Sequence, residues 1–336
     1  MPTDAMLYEA LEDRAVHCFL CSHHCRIKDG ETGFCRVRMN IAGTLKTLAY
    51  GKVVAANSDP IEKKPLYHFL PGSLSFSVAA MGCNFHCGFC QNWQISQLGE
   101  EELPELPGQP MSPAEVVEGA RKDGCGSIAY TYTEPTIFFE YAYDTASLAR
   151  DADLKNVFVT NGFMTRQALQ TIAPYLDACN VDLKSFSKEF YKSACRGRLQ
   201  PVLDSISTMK ELGIWVEVTT LIIPERNDDH SELQQIARFI ASVSPEIPWH
   251  ISRFHPQYQY GDTISTPTET LRKAYSLGKE AGLQFVYMGN LPEVANDTLC
   301  PSCQYPLIRR GGLFASKIDM RGSRCPKCEN TVPGVF

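Results

Sequence analysis

The sequence has no run of ~18 apolar residues, the length of helix that spans a bilayer, so no membrane-spanning helix is expected. Its start, Met1-Pro2-Thr3-Asp4-Ala5-Met6, lacks the basic and then apolar pattern of a signal peptide, which points to a cytoplasmic protein. Basic residues are not in excess: 32 Lys and Arg stand against 38 Asp and Glu, a net charge of −6. A wide phosphate-binding face is therefore not expected, nor is a nucleic acid partner. What the chain does have is cysteine, fourteen in 336 residues. Without a secretion signal these read as metal ligands or catalytic groups rather than as a disulfide framework. The length suits one large α/β domain with small appendages, and 44% hydrophobic with 21% charged residues is ordinary for a globular protein.

Eleven of the fourteen cysteines fall into three tight clusters. The middle one, Met81 to Asn92, places Cys83, Cys87 and Cys90 in a C-x3-C-x2-C pattern just after the β-type run Ser73 to Ala80. Three thiolates on one short loop can hold three corners of a cubic iron–sulfur cluster and leave the fourth iron open, and an open position is where a metal does chemistry. A zinc site or a closed ferredoxin-type cluster would need a fourth ligand nearby. The first cluster is Cys18-x2-Cys21-x3-Cys25-x9-Cys35, with Gly30 and Gly33 to turn the chain. It reads as a metal-bound knuckle holding either a zinc staple or an auxiliary iron–sulfur cluster, with unmetallated thiols as the alternative. The histidines beside it, His17, His23 and His24, read as surface residues, since four thiolates suffice. The last cluster pairs Cys300-Pro301-Ser302-Cys303 with Cys325-Pro326-Lys327-Cys328, 21 residues apart. Two facing knuckles make a closed tetrahedral S4 site for zinc, or for iron in a rubredoxin-like arrangement. Of the single cysteines, Cys125 and Cys179 flank strands and read as buried apolar residues. Cys195, beside Arg196 and Arg198, is a thiol whose thiolate the two cations would favour.

Between the outer clusters, strands and helices alternate. The expected division is an N-terminal Cys-rich module over 1–50, a linking segment over 51–72, a barrel over 73–295 and a C-terminal zinc-ribbon or rubredoxin-like module over 296–336. The linking segment, with Pro60 and Pro65 among charges and aromatics, suits a loop better than a helix or central strand. Glu100 to Pro110 reads as a proline-rich linker, and capping boxes at Ser112–Glu115 and Thr266–Glu269 each open a helix. Strands are expected at Ser127–Tyr132, Val157–Gly162, Asn180–Lys184, Trp215–Ile222, Trp249–His255 and Gln284–Met288. With the strand before the cysteine loop this makes six strand–helix units and a final strand, a partial (β/α)6-type TIM barrel. Such barrels work at the carboxyl ends of their strands, where this sequence places the three cysteines, Glu134, Asn161, Asp182, Lys184, His255 and Asn290.

The Cys83/Cys87/Cys90 spacing resembles that of radical S-adenosylmethionine (SAM) enzymes. That resemblance implies a [4Fe–4S] cluster whose open iron takes the amino and carboxylate groups of SAM, with Phe89 packing beside the adenine. Glu134 in Tyr132-Thr133-Glu134-Pro135 stands where the family has a G-G-E-P-like motif that meets the SAM amino group, only the Glu-Pro pair being shared. Asp182 and Lys184 match a D-x-K pair of pyruvate formate-lyase activating enzymes that contacts the SAM ribose and carboxylate, and His255 matches a histidine there that reaches the ribose. Thr160-Asn161-Gly162 resembles a D-T-N-G stretch of the same enzymes, with Val159 where their aspartate helps bind a cation. Each has a plainer reading from the residues alone: Glu134 as a helix cap, Asp182–Lys184 as an ion pair, His255 as a structural histidine.

The whole chain resembles the radical SAM member of the AmmeMemoRadiSam system. The matches are the Cys18–Cys35 knuckle with Gly33 and Arg36-Val37-Arg38, the Asp59–Phe69 block, Cys83–Trp93, and the C-terminal knuckles leading into Val332–Phe336. It implies an oxidoreductase related to glycyl-radical activases, a ferredoxin or flavodoxin as electron donor, and a Memo-like partner protein. Three functions are consistent with these readings: an activase-like enzyme acting on a protein or peptide, a radical SAM enzyme acting on a small metabolite, and a non-enzymatic metal-binding scaffold.

Overall fold

The computed structural model describes residues 2–99, 105–291 and 294–336. Its centre is built from seven largely buried segments: β1 (Leu74–Ala80), β2 (Ser127–Tyr130), β3 (Lys155–Thr160), β4 (Ala178–Asp182), β5 (Trp215–Ile222), β6 (Trp249–Arg253) and β7 (Val286–Gly289). They pair in parallel and in sequence order. Strands buried on both faces read as near-continuous apolar runs because helices cover the outside. Those helices are α1 (Pro113–Lys122), α2 (Phe139–Asp151), α3 (Arg166–Ile172), α4 (Lys188–Ala194), α5 (Leu199–Glu211), α6 (His230–Val243) and α7 (Thr268–Glu280). The sheet stays open, with β7 at one margin and antiparallel strands at the other, so the partial-barrel expectation holds.

Local chemistry explains most helix starts. Ser112 Oγ accepts from Glu115 N–H while the Glu115 carboxylate accepts from Ser112 N–H at 2.7 Å, completing the expected box. The second expected box is not formed. Helix α7 begins after Pro267 without a side-chain cap. The Thr266 hydroxyl instead donates to Ile222 O at 2.6 Å and accepts from Phe254 N–H at 2.8 Å, tying the end of β5 to the end of β6. Helix α4 went unforeseen because its seven residues are too few for periodicity to register.

The segment 51–72 is more than a link. Lys52–Pro60 forms an antiparallel edge strand against β1, and Gln109–Pro110 pairs beyond it. Pro60 and Pro110 sit at strand ends, where no ladder N–H is needed, and Pro65 lies in the turn that follows Ile61–Lys63. Of the proposed linker Glu100–Pro110, residues 100–104 lie outside the described ones. Ile61, Leu66 and Phe69 then pack on Ala129, Val157 and Ala178 of the central strands.

The outer modules are small antiparallel sheets. Residues 3–47 form two three-stranded ones, and Thr298–Ile318 a third. Val16, Leu20, Val37 and Leu45 share one continuous core with Phe85, Phe163 and Val181. The N-terminal module is thus packed onto the strand ends that carry the cysteine loop. No described helix is long and apolar enough to cross a membrane.

Candidate active site at the carboxyl end of the sheet

The loop after β1 turns at Gly82, whose φ of +109° suits glycine. A Cβ there would lie 2.8 Å from Val37 Cγ1 and 3.1 Å from Leu98 Cδ1. The next residue is Cys83. Its sulfur accepts from Phe85 N–H at 3.3 Å and has Asn161 Nδ2 at 3.8 Å. Asn161 Nδ2 also donates to Asn84 Oδ1 at 2.7 Å, which leaves Asn84 Nδ2 buried with no partner. Donors gathered on a sulfur, with one more unsatisfied beside it, suit an anionic iron–sulfur group. A hydrogen bond with Cys195 pushes the Cys87 thiol well up, and burial does the same for Cys83 and Cys90. A bound cation is what would make them thiolates.

Glu134 closes one side. It is 2% exposed. Its Oε1 accepts from Thr136 N–H and Oγ1 and from Thr160 Oγ1, and its Oε2 from Asn161 N–H at 2.8 Å. Burial raises its pKa while these bonds oppose the rise. Glu134 therefore caps the following turn and orders Asn161, which in turn holds Asn84 against Cys83. On the other side, Lys184 Nζ donates to Asp182 Oδ2 at 2.8 Å and lies 5.8 Å from the Phe89 ring centroid. Both charges act on the Cys87 thiol. Asn161, Glu134, Asp182, Lys184 and Phe89 thus lie around the cysteine loop.

Two expected residues make their hydrogen bonds outside this group. His255 is exposed, and its hydrogen bond among the described residues is with Ser265 Oγ at 3.3 Å. Asn290 donates to Ser252 Oγ and Arg253 O. The loop after β6 reaches the cluster loop through other residues. Gln259 N–H donates to Gly88 O at 3.0 Å, Tyr258 stacks on Trp93 at 5.0 Å, and Tyr260 lies 5.8 Å from Phe89. An aromatic run three to five residues past His255 was the available signal.

Cys195 was also misread from sequence. It is fully buried, and its segment docks on the loop through His86 N–H to Cys195 O and Gly88 N–H to Ala194 O. Nor is His23 a surface residue. It stacks on Phe34 at 4.0 Å, and its Nε2 lies 2.7 Å from Asn84 O, bridging the N-terminal knuckle to the loop. His250 lies at the opposite end of the strands, 2.6 Å from Glu217. Cys125 and Cys179 are buried as expected.

The other clusters differ in spacing. Cys300, Cys303, Cys325 and Cys328 have all four sulfurs within 4.8 Å of one another, and among the described residues no other group of three or more potential ligands is so gathered. Cys18, Cys21, Cys25 and Cys35 instead line one cavity with Arg38, Ile27, Thr136 and Ile137. Burial pushes the Cys35 thiol up to about 12 and raises Cys21 and Cys25.

A model of the radical SAM superfamily matches residues 78–240, from β1 into α6. That stretch, a little under half of the chain, is similar to the superfamily. An uncharacterized protein of Methanocaldococcus jannaschii is 46% identical over 338 residues, spanning 99% of each chain. The benzylsuccinate synthase activating enzyme of Thauera aromatica is 22% identical over 216 residues, 58% of this chain and 65% of that one. A radical SAM methyltransferase from Sphaerobacter thermophilus superposes with a TM-score of 0.52 at 15% identity, over 66% of this chain and 68% of that one, a likeness of fold.

Proposed function

We propose that this protein reductively cleaves SAM at a [4Fe–4S] cluster on Cys83, Cys87 and Cys90 and uses the resulting radical to take hydrogen from a protein or peptide, as activases do. The observation that carries the reading is the three-cysteine loop at the carboxyl end of β1, flanked by the buried, unpartnered Asn84 Nδ2. When bound, the cluster supplies the electron that splits SAM into methionine and a 5′-deoxyadenosyl radical. The chain's own residues position and shield. Phe89, packed with Phe190 and Tyr260, would back an adenine, and Lys184 with Asp182 offers an ammonium and a carboxylate for the polar groups of SAM. Glu134 acts through Asn161 rather than as a free acceptor, since its oxygens are already engaged. Trp93, Tyr258 and Tyr260 form an aromatic wall that would exclude water.

The activase character draws on the likeness to the Thauera enzyme and on the resemblance to the AmmeMemoRadiSam member. A cytoplasmic setting, a ferredoxin or flavodoxin donor and a Memo-like partner belong to the same proposal. Anaerobic reconstitution with iron and sulfide, then dithionite and SAM, should yield 5′-deoxyadenosine. A yield no higher than that of a Cys83→Ala variant would overturn the reading.

A further inference from the structure

We infer that Cys18, Cys21, Cys25 and Cys35 hold a second four-iron cluster, ligated by protein at every corner and seated against the loop that carries Cys83. Four sulfurs around a single zinc or iron, with bonds near 2.3 Å at tetrahedral angles, stand about 3.8 Å apart. The C-terminal cysteines meet that requirement, all four lying within 4.8 Å of one another. No three of the N-terminal cysteines do, although all four line the same cavity. They share this wider spread with Cys83, Cys87 and Cys90. An Fe4S4 cube placed between its thiolates holds them farther apart than one ion can.

Arg38 is the second observation. It lines the cavity, is 1% exposed, and pairs with Glu140 at 2.9 Å through one nitrogen. Its Nε and its other terminal nitrogen are buried without partners. Two unmade guanidinium hydrogen bonds are costly in a dry interior, and cluster sulfides or thiolate sulfurs of net negative charge would satisfy them. Charge alone would suit a zinc tetrathiolate equally; the spacing decides for a cluster.

Four thiolates leave no open iron, so this second site can exchange electrons but has no vacancy for SAM. Its place gives that property a use. Cys35 O lies 3.5 Å from where a Cβ on Gly82 would be, His23 bonds Asn84 O, and the cavity wall includes Thr136, which bonds Glu134. The two sites are therefore separated by a single layer of residues.

The inference does not depend on what the Cys83 loop does, and metal analysis separates the two. The full chain, reconstituted anaerobically, should carry about eight irons and eight sulfides besides the single ion of the C-terminal module. A Cys21→Ala/Cys25→Ala variant should lose half of that iron and sulfide, and Cys325→Ala should cost one metal ion and no sulfide. Cys83→Ala should remove the other half; if it removes none, the active-site reading fails while this one stands. Four irons with a second zinc per chain, or a double variant that loses zinc and no sulfide, would sink the second cluster. Should the double variant not fold, the reduced wild type still decides by electron paramagnetic resonance. Two signals are expected, one of which shifts on adding SAM, whereas one signal that shifts entirely means one cluster.

Discussion

At the scale of single residues, the charged groups that look most catalytic by burial are structural. Glu217 is fully buried and accepts four hydrogen bonds: from Tyr67 N–H, His68 N–H, Trp215 Nε1–H and His250 Nε2. Burial pushes its pKa up, but the bond to and charge of His250 hold the carboxyl below its ordinary value. It therefore stays ionised as the anchor for the 66–69 segment. Glu217→Ala would strand those donors in the interior, and a loss of about 3–5 kcal/mol is expected. Guanidinium titration followed by Trp fluorescence measures it; a loss below about 1 kcal/mol would show the network to be dispensable. Tyr132 carries the same lesson. It takes a left-handed φ of +65° where the motif it resembles has glycine. Its hydroxyl bonds Asp59, and its ring lies 4.6 Å from Lys64 Nζ, so side-chain contacts hold a backbone geometry that glycine would reach freely.

At the scale of elements, the docking of the α4–α5 connection on the cysteine loop is the most sensitive joint. A Cβ on Gly197 would come within 2.3 Å of Phe85 Cε1, and Phe85 is 1% exposed between Phe163 and Tyr191. Gly197→Ala should push this connection off the loop at a cost of about 1–3 kcal/mol and reduce the iron retained at Cys83, Cys87 and Cys90. Gly311→Ala, with no heavy atom within 4 Å, is the control. Equal iron content and thermal midpoints for both variants would contradict the argument. This joint also shows where sequence reading stops. The strand–helix alternation was legible because period and capping are local, as Ser112–Glu115 confirms. The Thr266–Glu269 pattern has the same letters, but Thr266 bonds two strand ends instead. The strand Lys52–Pro60 is nearly half polar, is exposed at Ala56, Asn57 and Ser58 in succession, and carries no periodic signature. That Cys195 meets Cys87, 108 positions earlier, is a tertiary fact that no spacing announces.

At the scale of the whole molecule, the two outer cysteine modules cap opposite ends of the sheet. The N-terminal one meets the carboxyl ends through Ser22 N–H to Phe163 O and Thr165 N–H to Leu20 O. The C-terminal one closes the amino ends. Arg310 bonds Tyr67 O at 2.7 Å and stacks on the Tyr67 ring at 4.2 Å, and Val335 exchanges hydrogen bonds with His68 O and Leu70 N–H. His68 is the pin of this lower closure. Its Nδ1 lies 2.9 Å from Pro333 O and its Nε2 2.7 Å from the Tyr287 hydroxyl, so the neutral ring donates to the first and accepts from the second. Burial, opposed by the Glu217 charge, lowers its pKa from 6.5 to about 4. Between those values the unfolded chain takes up a proton that the folded chain refuses. The stabilisation from His68 is thus complete above pH ~6.5 and is lost as pH falls towards about 4, to the extent of roughly 3 kcal/mol at most. Glu217, held below its ordinary 4.5, adds its own loss only as pH falls through that value and lower, so most of the His68 window precedes it. His68→Phe should be less stable than the wild type at pH 7 and should lack the slope between about 6.5 and 4. Denaturation midpoints of both proteins across that window test it, and parallel profiles would remove His68 as the cause.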